Sequence, residues 1–196
     1  MVKNKWGLEA KPHKICAIDA STNSLAFALF TGDDLESIGK INFEGNNTYE
    51  KVMDAGQKVK AFFDYSGGFE AIIIEHTVFM NSPKTAADLA LVQGAILGAA
   101  GQSGTKIIGK VSPITWQNFI GNKKISKEEQ LLIRSQIPGK SESYYKAHER
   151  MLRKERTIKF INTIYDRTIT DNDVADACGI GHWALRNWGK AIGVDK

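Results

Sequence analysis

No stretch of this sequence approaches the roughly 20 uninterrupted apolar residues of a membrane span, and the opening Met1-Val2-Lys3-Asn4-Lys5-Trp6 has no apolar core of the signal-peptide kind. The expectation is a cytoplasmic protein with no membrane partner. Cysteine is scarce, and both Cys16 and Cys178 lie inside apolar segments, where a small buried thiol is the ordinary role. Two isolated cysteines and four scattered histidines give none of the usual zinc-ligand spacings. Proline is limited to four residues, and there is no low-complexity tract and no internal repeat, which excludes a disordered tail or a solenoid. What is present, 196 residues of which 42% are hydrophobic and 24% charged, suits one well-packed domain, too short for two independent enzymes.

Acidic charge is also unevenly placed. Residues 122 to 160 hold 11 Lys and Arg against 5 acids, while the remainder holds 15 against 17. A slightly acidic body with a basic segment is what a carboxylate-based nuclease with a separate phosphate-gripping surface would carry. A solvated helical face accounts for the same numbers.

Along the chain, Ile15-Cys16-Ala17-Ile18 is a continuous apolar run of the kind found in a strand buried on both faces, and it ends at Asp19. A second strand follows from Leu25 to Phe30. The Thr31-Gly32-Asp33-Asp34 turn then folds a third strand, Leu35 to Phe43, antiparallel to it. Val52, Ala55, Val59 and Phe62 mark one face of a helix from about 48 to 63. Another buried strand, Ala71 to Ile74, ends in Glu75. From Ser82 to about Gly101 runs an alanine-rich helix whose apolar residues surround it almost completely. Such a helix is sandwiched inside the fold or shared with a second subunit. A strand from 105 to 111 and a brief helix opened by Pro113 come next. Two helices follow, near 127–135 and 142–164, separated by Pro138-Gly139, and much of the longer one is expected to face solvent. A final helix, starting with a cap at Thr170-Asp171-Asn172-Asp173, runs to about Trp188. This order predicts an α/β fold, a mixed sheet with helices on its faces.

Asp19 and Glu75 each end an apolar strand. An ionised carboxylate emerging from a buried strand is costly unless a cation or hydrogen-bond donors meet it, and neither has a basic neighbour in sequence. On adjacent strands the two would repel unless a divalent metal sat between them. In the last helix Asp173 and Asp176 are three apart and share a face. Four carboxylates without Cys or His favour Mg²⁺ or Mn²⁺. Two such ions, about 4 Å apart, would orient a water and stabilise the leaving oxygen of a phosphodiester. Taken singly, Asp173 reads equally as a first-turn acid that caps the helix and complements its dipole. Asp19 and Glu75 read as solvated strand ends. Asp176, among Val174, Ala175, Ala177 and Cys178, is harder to assign to solvent.

Three segments resemble the acidic motifs of the RuvC Holliday-junction resolvases, in the same order: Ile15-Cys16-Ala17-Ile18-Asp19, Ile74-Glu75 followed by Val78-Phe79-Met80, and Asp173-Val174-Ala175-Asp176-Ala177. The likeness covers about 15 to 120 and 168 to 185. It implies an RNase H-like fold with a five-stranded mixed sheet, an antiparallel three-strand start and helices on both faces. It also implies a homodimer, two Mg²⁺ per active site with Mn²⁺ as substitute, and paired symmetric nicks across a four-way DNA junction, the chemistry of recombination and repair. By position, Asp19, Glu75, Asp173 and Asp176 take the metal-binding and catalytic roles. Phe79 matches an aromatic that contacts bases near the junction centre, although a core aromatic is the competing reading.

The sequence departs from the family in three places. His76-Thr77 adds a residue before Val78-Phe79-Met80. Trp116 stands where the family commonly has a lysine, and Lys127 matches a second family lysine better. The stretch from 122 to 168 reads as a basic helical insertion in a single domain spanning 1–196, with Lys123, Lys124, Lys127, Arg134, Arg150, Arg153, Lys154 and Arg156 as a phosphate-binding arm. His76 and His182 are assigned no catalytic role. The competing functions are an RNase H-type nuclease acting on RNA-DNA hybrid or branched DNA, and a non-catalytic DNA-binding module. Asp19-Ala20-Ser21-Thr22-Asn23 also resembles the first phosphate loop of actin-like ATPases, but the chain lacks their length and their second glycine-rich turn.

Overall fold

A strand that is apolar at every position must be covered on both faces, and β1 (Lys14–Ala20) meets that condition, with Ile15, Cys16, Ala17 and Ile18 fully buried. β2 (Ser24–Thr31) and β3 (Asp34–Asn42) continue it as an antiparallel meander. β4 (Ala71–Glu75) and β5 (Ile107–Val111) join parallel on the other side, in the order β3-β2-β1-β4-β5. The expected five-stranded mixed sheet is thus formed, with the strand that ends in Asp19 at its centre. The computed structural model describes residues 11–76 and 82–194. Phe79, singled out as a base-contacting aromatic, lies outside the described residues.

Side-chain alternation sorts the strands onto two cores. One face carries Cys16, Ile18, Ile72 and Ile74. It is covered by α1 (Thr48–Tyr65) and α2 (Pro83–Gln102), with Val59, Phe63, Val92 and Ile96 fully buried between them. The other face carries Ile15, Ala17, Ala71 and Ile73. It meets α3 (Pro113–Phe119) and α6 (Asn172–Arg186), with the short α7 (Trp188–Ala191) beside β5. The last helix therefore ends two residues earlier than read from sequence, and a separate turn follows it.

α6 packs closely against the sheet and against α3 because two of its residues have no side chain. A Cβ on Gly181 would fall 2.1 Å from the Phe30 ring, and one on Gly179 would fall 2.6 Å from the Trp116 ring. This close approach brings the start of α6 beside the end of β1.

The basic segment forms α4 (Lys127–Gln136) and α5 (Glu142–Tyr165). Ser126 and Glu129 make a reciprocal capping box at the start of α4. A small core of Ile125, Ile133 and Tyr145, with Leu152 against it, joins the two helices. Much of α5 faces solvent, as expected from its sequence, while the side that packs along α6 buries Thr157 and Ile161 completely or nearly so.

α2 separates its two sides. Val92, Ile96, Ala99 and Ala100 are buried, whereas Ala87, Leu91, Gly94 and Gly98, spaced four, three and four apart, are exposed. The buried half answers the sandwiched reading. The exposed half remains a small-residue apolar strip.

Candidate metal centre

Parity places the two strand-end carboxylates. Asp19 follows Ile15 and Ala17 on the α6 side of β1, and Glu75 follows Ala71 and Ile73 on the same side of β4. The two strands are parallel and paired through Ile18 and Ile74, so Asp19 and Glu75 stand one step beyond the last aligned pair, on neighbouring strands. Across the antiparallel half, Asp19 aligns with Ala26 and Ala26 with Lys40. A single row of the sheet thus runs Lys40, Ala26, Asp19, Glu75.

α6 closes this row from above. Its N-cap is Asp171, whose side chain accepts from the backbone N–H of Asp173 at 2.8 Å and of Val174 at 3.1 Å. The cap thus falls within the expected Thr170-Asp171-Asn172-Asp173 stretch, at Asp171 rather than Asp173. Freed from capping, Asp173 turns to Lys40, whose Nζ donates to it at 2.5 Å and to Asp171 at 3.2 Å. Asp176, one turn on, is half-buried and faces the strand ends.

The electrostatics follow from this convergence. The Asp19 carboxyl is pushed well above the usual carboxylate range, first by desolvation, then by the like charges of Glu75, Asp176 and Asp173, against a smaller opposing effect of Lys40. Asp176 is pushed up to about 7 by desolvation and by Glu75 and Asp173; Lys154 and a hydrogen bond from Thr157 oppose the rise. Desolvation raises Glu75 too, while the indole N–H of Trp116 donates to its carboxylate at 2.6 Å and works the other way. Trp116 is fully buried, with its ring wedged against Gly179. Where the family motif has a cation, this chain has a neutral donor held by the core.

As the side chains stand, Asp173 is engaged by Lys40 and Glu75 by Trp116. Among the described residues no three His, Cys, Asp or Glu side chains are grouped tightly enough to hold one ion. The donor set nonetheless suits a hard divalent cation, because the half-buried carboxylates of Asp19 and Asp176 are both held back from ionising by burial and by neighbouring acids, and Lys40 and Lys154 offset this only in part.

A carboxyl group raised in the folded state keeps a proton that the unfolded chain has released, so stability falls as pH rises from the ordinary carboxylate value toward 7 for Asp176. His182 acts oppositely. Buried against Tyr165, Phe119 and Phe160, with Tyr165 Oη 2.9 Å from Nδ1, it is lowered to about 4, and its contribution is lost as pH falls from its ordinary value toward that value. The acid cluster is therefore isolated by a difference. Millimolar Mg²⁺ is expected to raise Tm by several degrees more at about pH 8 than at about pH 5, since only at the higher pH does it replace repulsion rather than protons. An equal rise at both, measured by thermal unfolding, would count against ion binding by these acids.

The remaining candidates lie elsewhere. Lys123, Lys124 and Lys127 are exposed around the start of α4. Arg150, Arg153 and Lys154 line a cleft that reaches Asp176. Arg134 and Arg156 are engaged by Glu142 and Glu129 within the helical insertion. Lys40 and Asp171 were missed from sequence. Lys40 could have been reached by counting back from the hairpin turn, but a register shift between Leu29 and Phe30 moves the count by one.

No protein-family model matches this sequence, and no curated protein matches it. Solved structures do. Thermus thermophilus RuvC in complex with a Holliday junction substrate superposes with a TM-score of 0.65 at 15% identity, covering 91% of this chain and 98% of that one. A further Thermus thermophilus RuvC structure gives 0.61 at 14%, with the same coverage. The yeast mitochondrial Holliday junction resolvase Ydc2 gives 0.53 at 11%, over 92% of this chain and 81% of that one. The sheet order, the antiparallel start and the helices on both faces are thus those of a known architecture, and this chain has the fold of the RuvC-type resolvases.

Proposed function

We propose that this protein is a divalent-metal-dependent endodeoxyribonuclease that resolves four-way DNA junctions by paired symmetric nicks. The observation that carries the reading is the meeting of Asp19 and Glu75, adjacent on one face of the sheet, with Asp176 and Asp173 of α6 above them. Structural relatives solved with, or named for, Holliday junctions add to it.

Asp19, Glu75, Asp173 and Asp176 would hold two Mg²⁺ ions, with Mn²⁺ as substitute. Bound there, the metals would supply a nucleophilic water and stabilise the leaving oxygen. The chain's own residues prepare the place. Lys40 holds Asp173 at the rim until a cation competes for it. Trp116 fixes the rotamer of Glu75, and the glycines of α6 set the depth of Asp176. Lys123, Lys124 and Lys127 would grip backbone phosphates, and Phe79 would stack on a base.

A homodimer accompanies this reading. The exposed strip of Ala87, Leu91, Gly94 and Gly98 on α2 adjoins a groove of about 670 Å³ lined by Val52, Met53, Gly56 and Ala95. Small apolar residues of this kind suit close helix contact with a second copy, and two copies would provide the two nicks.

The test is cleavage of a four-way junction, a linear duplex and an RNA-DNA hybrid side by side with Mg²⁺. The junction is expected to be cut at least tenfold faster than either. Equal cutting of all three removes the resolvase assignment, and preference for the hybrid replaces it with an RNase H-type activity. Junction binding without cutting in any divalent ion leaves a binding module.

A further inference from the structure

α5 lies outside the segments that resemble the family motifs, yet its face at residues 150, 153, 154 and 157 turns toward Asp176. These positions, three, four and seven residues from the first, share one side of a helix. With Gln117 and Asn122 they enclose a cleft of about 170 Å³ whose far wall is Asp176 itself.

The cleft is built rather than incidental. Asn122 is only 3% exposed and donates to the Arg153 carbonyl at 2.8 Å and to Thr157 Oγ1 at 2.9 Å, tying the chain after α3 to α5. Gln117 Oε1 accepts from the Arg153 guanidinium and fixes its plane. Two buried polar atoms there have no partner, Arg153 Nε and Asn122 Oδ1. Leaving such an atom unmet costs about 1–3 kcal/mol, so the cleft is set for something that accepts from the arginine. Two other arginines of the insertion are spent on ion pairs, Arg134 with Glu142 and Arg156 with Glu129. Among the described residues Arg150, Arg153 and Lys154 form no salt bridge.

We propose that this cleft seats one DNA backbone phosphate, next along the strand from the phosphate at the carboxylate centre. The inference rests on the nuclease reading above. Three cations against one carboxylate select an anion over a metal ion. A guanidinium held in plane by Gln117, with the charges of Arg150 and Lys154 beside it, matches tetrahedral phosphate oxygens. Since Asp176 is a wall of both places, a phosphate in the cleft aligns its neighbour with the acids.

The experiment measures junction binding by the full-length protein without divalent ions, as a function of salt. Arg150 and Lys154 are exposed, so R150Q/K154Q is expected to fold normally. It should bind at least tenfold more weakly, with a slope of log affinity against log salt shallower by about one, since a single phosphate contact contributes about 0.9. R153Q should do the same if it retains the wild-type Tm. An unchanged slope in R150Q/K154Q overturns the seat, and a slope shallower by about two replaces it with separate contacts to two phosphates. Inorganic phosphate, exchanged for chloride at constant ionic strength, should displace DNA only in the millimolar range; micromolar displacement would make free phosphate the ligand and overturn the proposal. If the wild-type protein binds no DNA at all, it is the nuclease reading that fails. Normal wild-type binding with unaltered variants removes the seat alone.

Discussion

Asp19→Asn is expected to lower metal-dependent cleavage by about 10³-fold or more, equivalent to about 4 kcal/mol of transition-state stabilisation, while junction binding stays within a few-fold of wild type. Asp19 sits at the centre of the row, flanked by Glu75 and facing Asp173 and Asp176, and all three act on it. Asparagine keeps the shape and removes the anion that would bridge cations. The same substitution has a second, opposite consequence. Burial and three like charges oppose ionisation at this position, so the neutral amide relieves strain, and Tm measured in chelator near pH 8 is expected to rise by a few degrees. Lost cleavage with a raised Tm separates a chemical role from misfolding. Cleavage within tenfold of wild type would take Asp19 out of the site.

Trp116 yields the second large effect, and two variants divide it. Trp116→Ala empties a fully buried position where α3 meets α6 at Gly179, at a cost of about 3–5 kcal/mol. Thermal unfolding should register this as a fall in Tm of about 10 °C. Trp116→Phe keeps most of the ring against Gly179 and deletes only the N–H that meets Glu75. It is expected to retain the fold and to shift the Mg²⁺ concentration for half-maximal cleavage by about tenfold, the effect of losing a hydrogen bond that orients a ligand. An unaltered metal requirement in Trp116→Phe would leave the indole as packing alone.

Much of this architecture was readable in advance, for local reasons. Continuous apolar runs ending in Asp19 and Glu75 announced strands covered on both faces, and the Thr31-Gly32-Asp33-Asp34 turn announced the hairpin. Each depends on residues close together in sequence. The pairing of Lys40 with Asp173 is of another kind. It joins residues 133 positions apart and depends on the bulge near Leu29, which sets Lys40 rather than Gly39 opposite Ala26. A bulge is a compromise between sheet twist and packing and has no short sequence signature. Trp116 is similar: its resemblance to a missing lysine suggested a loss, whereas packing against Gly179 aims its N–H at Glu75. The basic helix α5 looked solvated because its apolar stripe is imperfect. Its imperfections, Arg153 and Thr157, turned out to border the acid cluster.

By itself, then, the order of residues determined the strands, the helices and which carboxylates end them, because hydrophobic periodicity and turn chemistry act within a few residues. Tertiary structure alone decided what meets those carboxylates. Lys40, Trp116 and the α5 cations reach them only through sheet register and the close seating of α6, and such contacts are set by packing across the whole core.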